Sequence, residues 1–369
     1  MLQQKGQIVL DLRPGPGNPR NSEGAFLELK DGRLLFVYSK YIGESGSDDA
    51  PCCLAALYSA DSGETWTDGG TVVMPEEHGV SNVMSVSLMR MQNGDVGLFY
   101  LIRHGAEDMR LHLRRSSDEG KTWGEAVCCI PAPGYFVTNN DRVVRLSNGR
   151  LIIPAAFHRR KGEGRDGFRP LDMRAVTYFY LSDDDGATWR ESRNGCVLPY
   201  SRTTAGMQEP GLVELANGAL FAWARTDVGC QYGMFSADGG ETWSPPEPTP
   251  FTSPCSPLSL KRVADTDALL AIWNPIPNYQ TRQETGISRG RTPLVGAISL
   301  NEGQTWGNFF AVELEPKGGY CYTAIHFTRD RSVLLAYCGG EPEDRLLLAR
   351  LKIRKIPLAE IMPASPKQS

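Results

Sequence analysis

Five copies of one eight-residue pattern, Ser-x-Asp-x-Gly-x-Thr-Trp, constrain this chain more than any other feature. They begin at Ser59, Ser116, Ser182, Ser236 and Ser299, the last with Asn301 in the Asp place. Within one copy the Ser and Asp side chains can tie down nearby backbone N–H groups. The Gly supplies positive φ and the Trp packs beneath, so each copy reads as a hairpin turn. One such turn is common. Five, at intervals of about 50–65 residues, are an internal repeat, and that period implies a propeller or a solenoid.

A second periodic feature interleaves with the first: a polar turn followed by a short apolar strand. Asp31-Gly-Arg precedes Leu34–Tyr38, Asn93-Gly-Asp precedes Val96–Tyr100, and Asn148-Gly-Arg precedes Leu151–Ile153. Asn217-Gly-Ala precedes Leu220–Ala224, and weaker versions at Asp267 and Asp330 precede Leu269–Trp273 and Val333–Tyr337. Asn-Gly or Asp-Gly between apolar runs is a strong hairpin signal. Each repeat therefore reads as four strands, and six repeats read as an all-β, six-bladed β-propeller. The expectation is a single domain over residues 1–361 with a frayed tail over 362–369. The sixth unit lacks the Trp-bearing turn, and Gln7–Asp11 and Leu346–Ile353 are the candidates to close the ring. The turn tryptophans, with Trp223 and Trp273, are expected in the core.

Composition narrows the function classes. Hydrophobic residues at 41% and charged residues at 22% fit a globular chain with a large core. A net charge of −4 gives no reason to expect a nucleic-acid partner. No stretch is apolar enough to cross a membrane as a helix, and Met1–Leu10 lacks a signal-peptide core. The nine cysteines include the adjacent pairs Cys52-Cys53 and Cys128-Cys129 but no C-x-x-C spacing. They read as reduced thiols of a cytoplasmic protein, with no metal site.

In an up-and-down unit the repeated turns share one face, and the starts of the inner strands share the other. Read in order, those starts carry Ser22-Glu23, Asn82–Ser85, Asn139-Asn140-Asp141-Arg142, Gln208-Glu209, Ser253–Pro257 and Gly319–Ala324. The loops beside them add Asp48-Asp49, Arg103-His104, His158, Arg225 and Arg291. Carboxylates, arginines and tyrosines converging on one mouth are the default site hypothesis.

The five turns resemble the Asp-box repeats of bacterial neuraminidases, and the chain resembles the sialidase superfamily over nearly its full length. Glu209 in Gln-Glu-Pro-Gly, Arg225 in Trp-Ala-Arg-Thr, Arg291 in Arg-Thr-Pro-Leu and Tyr322 in Tyr-Thr-Ala-Ile follow that family's order and spacing. The resemblance implies an exo-glycosidase acting on a carbohydrate, without cofactor and with retention. Tyr322 would be its nucleophile, Glu209 the base, and Arg225 and Arg291 the ligands of a sugar carboxylate. The acid/base would be Asp48 or Asp49, with Asp49 favoured, or Glu23. The family's first-unit arginine has no counterpart at Ser22 or Glu23, Arg20 being displaced from that place. Another acidic or deoxy sugar is therefore an alternative substrate. Asn140, Asp141, Arg142, Gln208, His158 and Tyr320 are further substrate-binding candidates, Tyr320 also being the alternative nucleophile. A glycan-binding propeller without catalysis, or a lyase on the same scaffold, is the competing reading.

Overall fold

Each repeated turn is closed by its own side chains. In the first, Ser59 Oγ donates to Asp61 Oδ1 at 2.8 Å and accepts from Gly63 N at 2.8 Å. Asp61 also accepts from Thr65 N at 2.9 Å and Thr65 Oγ1 at 2.6 Å, and Trp66 Nε1 donates to Gly63 O at 3.1 Å. The Ser, Gly and Thr contacts recur in the other four copies. Gly63 sits at φ 86°, in the left-handed region that a side chain disfavours. The turn tryptophans pack against the apolar clusters, as expected: Trp243 is buried with Trp223 and Trp273, and Trp66, Trp123, Trp189 and Trp306 are half-buried at the cluster edges.

The computed structural model describes residues 2–162, 170–199, 202–278, 288–344 and 346–363, so most of the expected tail (364–369) lies outside the described residues. The fold is all-β; the only helical segments among the described residues are the 3-10 turns Pro75–His78 and Leu358–Glu360. Three four-stranded antiparallel sheets stand apart. One runs Gln208–Glu214, Leu220–Arg225, Cys230–Ser236, Glu247–Thr252. The second runs Ser259–Arg262, Leu269–Trp273, Leu294–Ser299, Gly307–Glu313. The third runs Gly319–Phe327, Ser332–Gly340, Arg350–Pro357, then takes Gln7–Leu12 from the other end of the chain as its outer strand.

The remaining strands form one 13-stranded sheet. Its antiparallel ladders begin at Asn21–Glu28, Asn82–Arg90 and Val144–Arg145, and single parallel bridges stitch them together, Cys52 to Asn82 and Tyr135 to Met109.

Burial follows the ladders. Each large apolar cluster mixes residues of consecutive ladders: Val37 and Ala25 pack with Leu98 and Tyr100, for example, and Leu151 and Tyr180 with Phe99 and Leu113. A further cluster joins Phe26 and Phe36, near the start of the chain, to Ala336, Leu351 and Ile353, near its end. Truncating a buried phenylalanine such as Phe36 typically costs about 3–5 kcal/mol, so this closing contact is a strong element of the fold.

Candidate active site

One irregularity, repeated on the inner strands, builds the mouth. The ladders break register between Ser22 and Ala25, Met84 and Ser87, Gln208 and Gly211, and Cys321 and Ala324. At those breaks Glu23 (φ 47°), Ser85 (φ 59°), Glu209 (φ 48°) and Tyr322 (φ 56°) adopt left-handed backbone, as does Asp141 (φ 57°) ahead of the short strand Val144–Arg145. A bulge re-aims the side chain it carries, and a non-glycine residue held at positive φ costs on the order of 1–3 kcal/mol. Four of these five residues, all but Asp141, line one cavity of about 1350 Å³.

At its floor Tyr322 Oη donates to Glu209 Oε1 at 2.8 Å, and both residues are buried. Arg225 Nη1 lies 2.6 Å from the same carboxylate oxygen and 3.5 Å from Tyr322 Oη. The Arg291 guanidinium sits 5.5 Å from the centre of the Tyr322 ring, donating to Cys321 Sγ at 2.9 Å and to Cys255 O at 3.2 Å. Burial alone would push Glu209 up, but Arg225 and Arg291 beside it hold it below the ordinary carboxylate range. Burial, then the Glu209 charge, push the Tyr322 phenol well up, and the two arginines oppose them. The resting pair is therefore a neutral phenol donating to a carboxylate. Charge developing on Tyr322 Oη would form in front of both guanidinium groups.

A second charged group faces the pair. Arg20, 2% exposed and 4.4 Å from the centre of the Tyr41 ring, donates from Nη1 to Asp48 Oδ1 at 2.6 Å and from Nη2 to Glu23 Oε2 at 3.4 Å. Asp48 lies open to the cavity. Partial burial would raise it, but Arg20, and then Arg103 and Arg291, hold it low. Glu23 goes the other way: burial, with Asp48 and Glu209 nearby, outweighs Arg20 and pushes it up to about 7.

The structure brings Tyr322, Glu209, Glu23, Asp48, Arg225, Arg291, Gln208 and His158 to one cavity. Gln208 is tied to Met173 O at 2.9 Å, and His158 Nδ1 to Asp172 O at 3.0 Å. Burial first, and Arg225 as well, lower His158 and keep it neutral, against the Asp172 and Glu209 contacts. Five other candidates do not line this cavity. Asp49, favoured over Asp48, is exposed outside the cavity lining and accepts from Ser47 Oγ at 2.5 Å; its backbone step turns it away from Arg20. Asn140 donates to Gly24 O at 2.8 Å and Tyr322 O at 3.2 Å, tying inner strands together beneath the mouth. Asp141 pairs with Lys261 at 2.8 Å and accepts from Ile325 N at 3.0 Å. Arg142 donates to Leu258 O at 2.8 Å. Tyr320 donates to Glu341 at 3.2 Å within a buried charged network of the last sheet, away from the cavity.

Arg20 is the residue the sequence reading passed over. Placed as displaced from the first-unit position, it nonetheless reaches the mouth, because it enters just before the bulge at Glu23 and folds back over Tyr41. No spacing in the sequence signals this. Cys321 and Cys255, which receive the arginine N–H groups, carry no motif either. Among the described residues no group of three or more His, Cys, Asp or Glu side chains is gathered to hold a metal ion.

An all-β frame of repeated four-stranded ladders, with an arginine-flanked tyrosine–glutamate pair in its mouth, defines the general class. The chain belongs to the BNR repeat-like domain family of the sialidase superfamily, whose family model matches residues 56–335. It is 26% identical over 246 residues to the anhydrosialidase of Macrobdella decora, a match covering 62% of this chain and 29% of that one. Among solved structures it is similar to the NanB sialidase from Streptococcus pneumoniae, with a TM-score of 0.71, 14% identity and coverage of 97% and 71% of the two chains. It is also similar to the intramolecular trans-sialidase from Ruminococcus gnavus, with a TM-score of 0.70, 16% identity and coverage of 98% and 99%. At these identities the structural likeness is one of fold.

Proposed function

We propose that the protein is a sialidase-type glycoside hydrolase that releases a terminal anionic sugar at this mouth, built as one six-bladed propeller over residues 1–361. The closed ring is supported by the apolar clusters, each shared by consecutive ladders, and above all by the cluster joining the first ladder to the last. The observation that carries the chemistry is the Tyr322–Glu209 hydrogen bond of 2.8 Å with two guanidinium groups beside it.

In this reading Tyr322 Oη attacks the anomeric carbon and the glycosidic C–O bond breaks. The phenol proton passes to Glu209, and the leaving oxygen takes a proton from the acid/base. Water then resolves the tyrosyl–sugar bond with the configuration retained. A tyrosine suits an anionic sugar, since a carboxylate nucleophile would be repelled by it. Asp48 is the acid/base. Its pairing with Arg20 holds it ionised at rest, which suits it to take a proton from the resolving water. Its small protonated fraction then limits cleavage of poor leaving groups, and an aryl glycoside relieves that limit.

The test is hydrolysis of a panel of aryl glycosides, a sialoside included, by wild type and Tyr322→Phe. Turnover lost by a factor on the order of 10³ or more in the variant is the expected result. An undiminished variant removes the mechanism. Silence across the panel, with glycans still bound, would move the reading to a non-catalytic glycan-binding propeller.

A further inference from the structure

The charges of the mouth do not balance in the ordinary way. Arg225 is matched by Glu209 at 2.6 Å and Arg20 by Asp48 at 2.6 Å. Arg291 alone of these three has no carboxylate within ion-pair distance among the described residues, and its buried Nε has no partner. A buried cation without a counter-ion is a site for an anion. Yet Glu23, delivered into the same cavity by its bulge, adds a carboxyl group beside Asp48 and Glu209, held by a long 3.4 Å contact to Arg20 and by the Ser22 hydroxyl. Its backbone N–H donates to Cys338 Sγ at 3.3 Å, which fixes the strained turn that aims it.

We propose that Glu23 decides which substrate this site accepts: as the neutral acid it donates a hydrogen bond to the carboxylate of a sugar held at Arg291, and as the anion it expels that carboxylate. Binding of an anionic sugar is then coupled to the uptake of one proton. The inference rests on the reading of this mouth as a site for an anionic sugar, but not on Tyr322 being a nucleophile. The groups that face Glu23 are Arg20 at the entry of its own strand, Tyr41 and Asp48 on and after the next, Cys52 on the third, Glu209 across the cavity and Cys338 on the last sheet. Of the five titrating groups among them besides Arg20, Asp48 and Glu209 are held ionised, and burial holds the Tyr41 phenol and the Cys52 and Cys338 thiols neutral. Glu23 is the group left to change state near neutrality.

The experiment is isothermal titration calorimetry of the wild-type protein with the 2,3-didehydro derivative of sialic acid, and with its uncharged methyl ester. Each is run in two buffers of different ionisation enthalpy between pH 5.5 and 8.5. Uptake approaching one proton per acid bound at pH 8 is expected, with Kd rising about tenfold per pH unit above 7 and no uptake for the ester. Glu23→Gln should bind the acid with an affinity that no longer changes with pH. Wild-type binding of the acid without proton uptake, or an ester bound more tightly than the acid at pH 6, would overturn the proposal whatever the variant does. Aryl glycoside turnover that needs Tyr322, with no binding of the acid at any pH, would overturn it and leave the hydrolase reading standing. Proton-coupled binding with no turnover would uphold it and remove the hydrolase reading.

Discussion

The two faces of this molecule use the same backbone device for opposite ends. On the turn face, left-handed residues such as Ser62, Glu119 and Asp185 are each followed by a glycine, and the Ser and Asp beside them are hydrogen-bonded. In the mouth, Glu23, Ser85, Glu209 and Tyr322 hold the same region of φ with no glycine relief except at Glu23, which precedes Gly24. There Glu209 Oε2, Arg20 Nε and Arg291 Nε are buried without partners. Carboxyl groups diverge in the same way. Local hydrogen bonds hold Asp61, Asp184 and Asp238 at about 2, whereas Glu23 is pushed up to about 7. Strain whose polar groups are met within the turn serves the fold, Trp306 Nε1 being the exception. Strain with polar groups left open is what a ligand can use.

The largest test of that contrast is Glu209→Gln. It keeps the shape at the bulge but removes the acceptor for the Tyr322 proton, so kcat should fall by about 10²–10⁴-fold while the fold persists by circular dichroism. The matching change on the other face, Asp61→Ala, should leave kcat/KM unaltered. Comparable activity losses at both sites would erase the distinction between the faces.

Glu23 gives the next largest effect, in stability rather than rate. A carboxyl raised from 4.5 unfolded to about 7 folded contributes stability that is fully present below pH 4.5 and is lost as pH rises through 7. That loss is roughly 3 kcal/mol. Glu23→Gln should remove this slope, so its denaturation midpoint should overtake that of wild type by pH 8. Parallel midpoint-versus-pH curves for the two proteins would show that Glu23 titrates normally.

The turn carboxylates run the opposite way. Asp61, which burial alone would raise, is held at about 2 by the summed hydrogen bonds from Thr65, Ser59 and Glu64; it stabilises above the ordinary aspartate range and stops doing so as pH falls through 2. Losing its side-chain acceptor in Asp61→Ala should cost about 1–2 kcal/mol at pH 7, by analogy with the loss of a helix cap. Urea denaturation measures it.

How much of this was legible follows the same division. The turns were readable because a turn is local: Ser59, Asp61, Gly63 and Thr65 meet within seven residues, and the pattern repeats. The inner-strand starts were readable in outline, because alternation of turns places them on one face. What escaped was set by geometry between distant segments. Asp48 rather than Asp49 meets the cavity because Arg20, 28 residues earlier, reaches it. Asp141 turns to Lys261, 120 residues on, rather than to a substrate. Neither partner leaves a trace in local spacing. Resemblance to a family placed Tyr322, Glu209 and the two later arginines, but it also made Arg20 look displaced, since alignment counts positions and a long guanidinium side chain spans several.

The smallest effect lies in the one turn that departs from the repeat. Asn301 takes the Asp place, accepting from Thr305 N at 2.9 Å; its Nδ2 donates to Thr305 Oγ1 at 2.9 Å and its Oδ1 accepts from that hydroxyl at only 3.2 Å, where the other copies have a short hydroxyl-to-carboxylate bond. Asn301→Asp would restore a charged acceptor to both Thr305 donors, and the neighbouring Glu302 is already paired with Arg262 at 2.8 Å. A gain of less than about 1 kcal/mol is expected at pH 7, since a charge-assisted hydrogen bond outweighs a neutral one by little at an exposed turn. The gain should vanish as pH falls toward 2, where the equivalent Asp61 titrates. A stabilisation that persists in acid would mean that the extra energy comes from turn conformation rather than from charge, and the satisfied face would then owe its depressed carboxylates to geometry it would adopt without them.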